Sequence, residues 1–386
     1  TLNGMGANWD DADDSETAAL AVTKAAFDGA VPAELDFDGS GTGAMPGEAT
    51  ILGTYGALYL QVDGSYRYVL DNADPDTDAL DNEATGVTET FTYTIANNGG
   101  GEGNEASATI TVSIEGSNDA PFISFVEGED LGNVKEAGIL NDNVPFSGVP
   151  AATGTLDPND VDSSDDATND TWSLVANGGT GQIQDDAVTV TGTYGTLTID
   201  QNGTWTYTLD DTDPDTRALN EGESYDEVFT VQLADNDATD EGSDTVDVTI
   251  TVTGTNDQPV LTVVPGADTS VTEAGLSLVD NTTPIGDNTA TGAYTVADDD
   301  SNDTPATALW SIVSVNGVAV ETPTVANGAP SAETGQYGTL SLNDMGQWTY
   351  LIDDTEGGAA DALDVEDSDT ETFVIRVADG NGGFDE

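Results

Sequence analysis

The stretch "YGTLTIDQNGTWTYTLDDTDPDTRAL" (residues 194–219) decides the fold, because two regular patterns occur within it. Trp205, Tyr207 and Leu209 alternate with threonines, which is the period of two expected of a half-buried strand. The turn "DQNG" (200–203) places a glycine where a tight hairpin needs a positive φ. The stretch therefore predicts a β-hairpin followed by an acidic loop.

Related stretches occur three times in the chain. The pattern returns as "YGALYLQVDGSYRYVLDNADPDTDAL" at 55–80 and, more loosely, as "YGTLSLNDMGQWTYLIDDTEGGAADAL" at 337–363, at intervals of roughly 140 residues. Alternating runs also follow in the middle copy, "VFTVQLAD" at 228–235 and "DTVDVTITV" at 244–252. The sequence predicts an all-β fold with one sandwich of about seven strands in each repeat.

Two acidic hexapeptides mark the boundaries between repeats. "GSNDAP" (116–121) and "GTNDQP" (254–259) each close an alternating run and end in a proline that cannot continue a strand ladder. We call them the first linker and the second linker. They predict three repeats, residues 1–118, 119–256 and 257–386. Because the first repeat lacks its opening strand and the third its last strand, we expect the chain to be a window from a longer tandem array.

The composition limits the kinds of molecule and ion that the chain is expected to bind. The 74 Asp and Glu residues and 5 Lys and Arg residues give a net charge of −69, which opposes binding to nucleic acid or to anionic membranes. Cysteine and histidine are absent from the sequence, so disulfides and typical zinc, copper or haem sites are excluded. Divalent cations are the expected partner. The same composition is compatible with disorder, but aromatic residues in fixed register with glycine turns favour a folded chain.

The order "YGTL...NGTWTYTLD...DTRAL...FTVQLAD...VTITVTGTNDQP" resembles the VCBS repeat, a cadherin-like, immunoglobulin-type domain of large bacterial surface adhesins and biofilm proteins. The resemblance covers the whole chain three times and is weakest between residues 355 and 366. It implies tandem immunoglobulin- or cadherin-like Greek-key β-sandwiches in an extended array. It also implies secretion to the cell surface, calcium that stiffens the array, and an adhesive or extender role.

Acidic loops of two successive repeats are expected to converge at each linker. Calcium takes about six to eight oxygen ligands from carboxylates, asparagine side chains and backbone carbonyls, and such loops supply them. At the first linker the candidate ligands are Asp74, Asp76, Asn118, Asp119, Asp160, Asp162, Asp235 and Asp237. At the second linker they are Asp213, Asp215, Asn256, Asp257, Asp298, Asp300 and Asp379. The resemblance adds Glu136 and Glu273 from the paired "EAG" motifs, and Asp11 and Asp13 are candidates toward a preceding repeat.

A simpler interpretation is that these Asp and Asn residues only form turns by bonding to their own backbone. Their clustering favours a cation, because closely spaced bare carboxylates repel one another.

The sequence favours a non-catalytic protein. With so many acids, chance carboxylate pairs are common, and no P-loop, GxGxxG or GxSxG motif follows a strand. The leading hypothesis is a structural extender or fibre segment of a calcium-stiffened adhesin, whose partners are neighbouring repeats of the same long chain. In the fibre version of this hypothesis, neighbouring chains are further candidate partners that could complete its strands. The alternative is a ligand-binding module that recognises a glycan or a surface, with residues 97–106 and 321–336 as candidate insertions.

Overall fold

The computed structural model describes residues 20–82, 86–96, 105–162, 171–176, 179–182, 187–235, 242–276, 284–364 and 367–386. Strands β1 to β7 are Ala21–Phe27, Ala33–Glu34, Glu48–Leu52, Gly56–Gln61, Tyr66–Leu70, Thr88–Ala96 and Glu105–Ser113. Strands β8 to β14 are Phe122–Ser124, Leu131–Lys135, Gly138–Leu140, Val144–Phe146, Ala151–Thr155, Asp157–Asn159 and Thr171–Ala176. Strands β15 to β20 are Gly179–Gln182, Ala187–Thr191, Gly195–Asp200, Thr204–Leu209, Ser224–Ala234 and Ser243–Thr253.

The remaining strands complete an almost entirely β structure. Strands β21 to β26 are Val260–Val263, Gly275–Leu276, Pro284–Ile285, Thr289–Ala297, Leu309–Val315 and Val318–Ala319. Strands β27 to β32 are Val325–Ala326, Ser331–Thr334, Gly338–Leu342, Gln347–Ile352, Phe373–Ala378 and Phe384–Asp385. The helices are single turns: α1 is Pro75–Asp78, α2 is Pro214–Arg217, and Asn141–Asn143 form a 3₁₀ turn. The all-β prediction is confirmed.

The chain divides into two compact units. The first contains residues 1–124, 157–172 and 232–245, and the second contains residues 125–156, 173–231 and 246–386. Each unit contains a linker together with the loops around it. The predicted repeat boundaries at residues 118 and 256 stay a prediction.

Pairs of sheets enclose the cores. In the first unit the sheet β2-β1-β6-β7 packs on the sheet β3-β4-β5 through Leu58, Leu60 and Phe91, which are fully buried. In the second unit the sheet β26-β25-β31-β32 packs on β21-β24-β30-β29-β28 through Trp310 and Ile312. A third pair of sheets has the orders β12-β18-β17-β16 and β15-β14-β19-β20-β9.

The alternation read from the sequence matches the observed burial. Trp205 and Tyr207 of β18 are completely buried, whereas Thr206, which lies between them, faces outward. The hairpin glycine between β17 and β18, Gly203, has a φ of 75°, as the turn requires. Trp348, the counterpart of Trp205, is only half-buried and packs against the core of β25, β29 and β31.

A tyrosine–glutamate pair connects two facing sheets in three places, and the pair in the middle repeat is buried. In each, the tyrosine hydroxyl donates to a glutamate Oε2 at 2.5 to 2.6 Å. Two of the glutamates lie on strands β6 and β19 of the facing sheet, and the third lies just before β31. The glutamate Oε1 accepts backbone N–H groups from the turn before the first strand of the hairpin. The pairs are Tyr68 with Glu89, Tyr207 with Glu227, and Tyr350 with Glu371. The tyrosine hydroxyl and the backbone N–H groups of the turn together give one carboxylate several donors. These hydrogen bonds compensate the cost of burying its charge.

Candidate metal centre

The second linker is buried at its centre. Thr255 is fully buried and Asn256 is 2% exposed. Oε2 of Glu136 accepts the backbone N–H of Thr255 at 3.1 Å, and the Thr255 hydroxyl donates to the Glu136 carbonyl at 2.9 Å. The Asn256 carbonyl accepts the backbone N–H of Ile139 at 2.8 Å, while the Asn256 N–H donates to Oε2 of Glu221 at 3.0 Å. These contacts hold the linker backbone in one position, with the Glu136 carboxylate beside it.

The loop after β24 brings three more carboxylates to this linker. Oδ1 of Asp298 accepts the backbone N–H of Asp300 at 3.1 Å, and Oδ2 of Asp300 accepts the backbone N–H of Asp257 at 2.8 Å. One carboxylate oxygen each from Asp298, Asp300 and Asp303 lie within 4.8 Å of one another. Because Asp300 binds the linker backbone directly, the loop and the linker are fixed relative to each other.

The loop after β31 supplies Asp379, which is 8% exposed. Its Oδ1 organises the loop by accepting three backbone N–H groups at 2.6 to 3.1 Å, those of Asn381, Gly382 and Gly383. Its Oδ2 accepts Nδ2 of Asn256 at 2.9 Å. The Asn256 amide also donates to the Asp257 carbonyl at 2.9 Å, so its orientation is defined by two acceptors.

Five side-chain oxygens at this linker are buried and accept no hydrogen bond from the described part of the chain. They are Oε1 of Glu136, Oδ1 of Asn256, Oδ2 of Asp257, Oδ2 of Asp298 and Oδ1 of Asp300. Native proteins rarely leave buried polar atoms without a partner, and a bound ion can satisfy such atoms. We call Glu136, Asn256, Asp257, Asp298, Asp300, Asp303 and Asp379 the second linker cluster. Its donors are all oxygens, which suits a hard divalent cation such as calcium.

Five carboxylates of the second linker cluster have raised pKa values, those of Glu136, Asp257, Asp298, Asp300 and Asp303. The pKa of Glu136 is raised to about 8, chiefly by burial; the charges of Asp257 and Asp300 contribute to the rise and the hydrogen bond from Thr255 opposes it. The pKa values of Asp298 and Asp300 are each raised to about 7, chiefly by burial and in part by the charges of neighbouring aspartates. Without a counter-charge these groups cannot all be ionised at neutral pH. A divalent cation would supply that charge.

Basic side chains do not supply this counter-charge to the second linker cluster, because all five in the sequence already form ion pairs with other carboxylates. The pairs are Lys24 with Glu34 and Glu105, Arg67 with Glu48, Lys135 with Glu221, Arg217 with Asp299, and Arg376 with Glu386. The charge of Arg217 partly offsets the effect of burial on the pKa of Asp257.

The first linker has the same arrangement within the first unit. Nδ2 of Asn118 donates to Oδ2 of Asp235 at 3.0 Å, as Asn256 does to Asp379. The backbone N–H of Asp119 donates to Oδ2 of Asp162 at 2.6 Å, and the Asp162 N–H donates to Oδ1 of Asp160 at 2.9 Å.

We call these residues, Asn118, Asp119, Asp160, Asp162 and Asp235, the first linker cluster. Burial raises the pKa of Asp160, and the charges of Asp235 and Asp119 raise it further. Oδ2 of Asp160 is buried and accepts no hydrogen bond within the described ranges.

Four of the predicted ligands take part in local hydrogen bonds, and their role as ligands stays a prediction. Asp74 and Asp213 cap the short helices α1 and α2, and their side chains accept the backbone N–H groups of Asp76 and Asp215 at 2.9 and 2.8 Å. An aspartate followed by proline at the first helical position is a favoured helix start, so these residues fit the turn-forming interpretation. Glu273 lies half-buried before β22 and accepts no side-chain hydrogen bond from the described residues.

Three predicted candidates, Asp237, Asp11 and Asp13, lie outside the described residues.

Sequence reasoning missed three acids at the second linker. Asp303 belongs to the cluster, and its signal was the density of acids in "DDDSND" (298–303). Oδ1 of Asp211 accepts the backbone N–H of Ala137 at 3.2 Å, and the Asp211 charge raises the pKa values of Glu136 and Asp257. Glu221 accepts the linker N–H described above. The acidic loop that contains Asp211 was expected at this linker, but the residues predicted within it were Asp213 and Asp215.

No protein-family profile and no curated protein matches this chain. Solved structures similar to it include chicken VE-cadherin EC1-2, at 15% identity and a TM-score of 0.23, covering 52% of this chain and 78% of that one. Drosophila N-cadherin EC1-3 has 11% identity and a TM-score of 0.20, covering 85% and 82%. The N-terminal four Ig domains of Dscam1 isoform 7.44 have 10% identity and a TM-score of 0.21, covering 86% and 63%.

Across the part of the chain that the structure describes, no helix combines the length and apolar character that crossing a membrane requires.

Proposed function

We propose that this chain is a non-catalytic structural segment of a secreted bacterial surface adhesin of the VCBS type, in which calcium at the linkers stiffens a tandem array. The observation that carries the proposal is the recurrence of one arrangement at both linkers. In each, an Asn–Asp pair binds two acidic loops, through the Asn amide and through the Asp backbone N–H. Two copies of one specific arrangement are not expected of aspartates that only form turns.

The donor chemistry supports calcium as the cation. In this proposal the second linker cluster holds calcium through the buried oxygens that accept no hydrogen bond, and Asp303 and Asp379 contribute to the site. Bound calcium would neutralise charge and remove bending freedom between residues 119–256 and 257–386, which we take as successive repeats. A chain that gains length by repetition and rigidity from cations suits an extender that holds an adhesive tip away from a cell.

Thermal unfolding tests the proposal. The full chain is melted with excess calcium and with excess chelator, at one high sodium concentration so that simple charge screening is constant. Calcium at about 100 times its dissociation constant would stabilise the folded state by about 2.7 kcal/mol, which corresponds to a rise in Tm of about 5–10 °C. Asp257→Asn should remove most of the rise that comes from the second linker.

Asp215→Asn is the matched control, because Asp215 is exposed and contributes only its backbone N–H to a helix cap. This variant should keep the full calcium response. Equal melting of the original chain in calcium and in chelator would contradict the proposal. Small-angle scattering in the same two buffers would then measure whether calcium reduces the flexibility of the chain.

A further inference from the structure

The turn of the β10–β11 hairpin reaches the loop that contains Asp379. Asn143, in the left-handed region with a φ of 56°, lies in this turn. Its Nδ2 donates to the carbonyl of Phe384 at 2.5 Å, and its Oδ1 accepts the backbone N–H of Phe384 at 2.8 Å. One amide side chain therefore bonds to both backbone groups of a residue 241 positions further along the chain, and the Phe384 carbonyl also accepts Nε2 of Gln258 at 2.8 Å.

The β10–β11 hairpin also packs closely against the glycines of the loop that contains Asp379. The Cα of Asn141 would lie 2.9 Å from a Cβ added at Gly382, and Ile139 Cδ1 would lie 2.7 Å from one added at Gly383. Gly382 has a φ of 122°, which other residues rarely adopt. The loop thus fits closely against the hairpin, and glycine is required where the two backbones meet.

The position of Phe384 bears on the second linker cluster through the loop. Phe384 directly follows Gly383, whose backbone N–H is one of the three that Oδ1 of Asp379 accepts. Oδ2 of Asp379 in turn accepts Nδ2 of Asn256. This contact leaves Oδ1 of Asn256 as one of the five buried oxygens that accept no hydrogen bond from the described residues. A continuous series of contacts therefore joins Asn143 to a candidate calcium ligand.

We propose that Asn143 is a positioning residue for the cation site at the second linker, which rests on the proposed calcium function. The Asn143 amide fixes the backbone of Phe384, and this holds the loop after β31 in place. The loop in turn keeps Asp379 and Asn256 in the geometry that cation binding requires, so the site is preorganised. Residues that orient metal ligands without touching the metal typically contribute about 10–100-fold to metal affinity. Asn143 uses an uncharged amide for this purpose, so it adds no further charge to an already crowded acidic site.

Calcium titration of the full chain tests the positioning role. The parent for the test carries Asp160→Asn and Asp162→Asn, so that calorimetry reports mainly the second linker. Asn143→Gly removes the amide and keeps a residue that tolerates the left-handed backbone. We expect this change to raise the calcium dissociation constant by about 10-fold or more. Asp142→Gly is the matched control, because Asp142 has a φ of 62° in the same turn and no side-chain hydrogen bond to the loop within the described residues.

The outcomes separate this inference from the function on which it rests. A parent that binds calcium and an Asn143→Gly variant that binds it equally well would overturn the positioning role alone. A variant whose calcium-free melting temperature falls while its calcium affinity is unchanged would also overturn it, since that result indicates a purely structural contact. If neither the parent nor the unmutated chain binds calcium, both the function and the inference are overturned.

Discussion

Tyr207 donates its hydroxyl proton to Oε2 of Glu227 at 2.5 Å inside the second unit, and equivalent pairs occur at Glu89 and Glu371. Oε1 of Glu227 accepts the backbone N–H groups of Thr193 and Tyr194. A tyrosine on one sheet thus reaches a carboxylate on the other, and that carboxylate holds the turn at the start of a hairpin. Burial and the hydrogen bond both raise the pKa of the Tyr207 hydroxyl, so the proton stays on the tyrosine.

Tyr207→Phe should lower the free energy of unfolding by about 1–3 kcal/mol, because it removes one donor from a buried carboxylate. Urea denaturation of the full chain measures the change. Tyr225→Phe is the control: the Tyr225 hydroxyl donates to Glu223 at 2.6 Å, but the residue is 45% exposed, so water can replace the bond. Equal losses in the two variants would show that burial of the pair contributes nothing.

The stability of the calcium-free protein should fall as pH rises from about 4 to about 8. Glu136, Asp298 and Asp300 have folded pKa values raised to about 8, 7 and 7, so the folded state holds more protons than the unfolded state across this range. Stability therefore decreases with increasing pH and levels off once the folded groups have lost their protons. Denaturation of metal-free protein at a series of pH values measures this trend.

The double variant Glu136→Gln and Asp298→Asn tests whether the second linker cluster, and not the general charge repulsion of an acidic chain, causes this pH dependence. It should flatten the part of the slope of stability against pH that these two groups produce. In excess calcium the slope should also be smaller, and calcium affinity should increase up to about pH 8. A stability that is constant or rising across the range without metal would contradict the raised pKa values.

Asp303→Asn should weaken calcium binding at the second linker. Asp303 shares the 4.8 Å cluster with Asp298 and Asp300, and Nδ2 of Asn381 donates to its Oδ2 at 3.2 Å. The change removes one negative charge and one carboxylate oxygen, so we expect a loss of about 10-fold in affinity by calorimetry. Asp344→Asn, at an exposed turn where Gly328 N donates to it at 3.3 Å, should leave the affinity unchanged. Similar losses in both variants would indicate only a long-range effect of net charge.

The fold was largely predictable from the sequence because strand burial follows a period of two. The inward positions of β18, β19 and β20 are those that the alternation indicated. The same rule could have located the buried glutamates, since Glu227 falls in register with the inward Phe229 and Val231. Their tyrosine partners lie in another sheet, and no local pattern connects the two. Sequence reasoning therefore finds the strands more readily than the polar contacts between them.

The candidate site was predictable in part. The linker residues Asn256 and Asp257 and the loops with Asp300 and Asp379 come together as expected. Asp213 also accepts a hydrogen bond within its own helix, as an aspartate before a proline at a helix start commonly does, and its role as a ligand stays a prediction. Local hydrogen bonding of this kind depends on backbone geometry that the spacing of acids does not reveal.

The pairing of β9 with β20 bears on how the chain would carry tension. These strands run parallel, with residue pairs from Leu131 and Thr249 to Lys135 and Thr253. A force that pulls the chain before residue 131 and after residue 253 draws the two strands in opposite directions along their shared axis. The hydrogen bonds between them are then loaded simultaneously instead of opening one after another. The second linker follows directly after β20. A force transmitted through the linker therefore loads the hydrogen bonds between β9 and β20 in shear before it reaches the core.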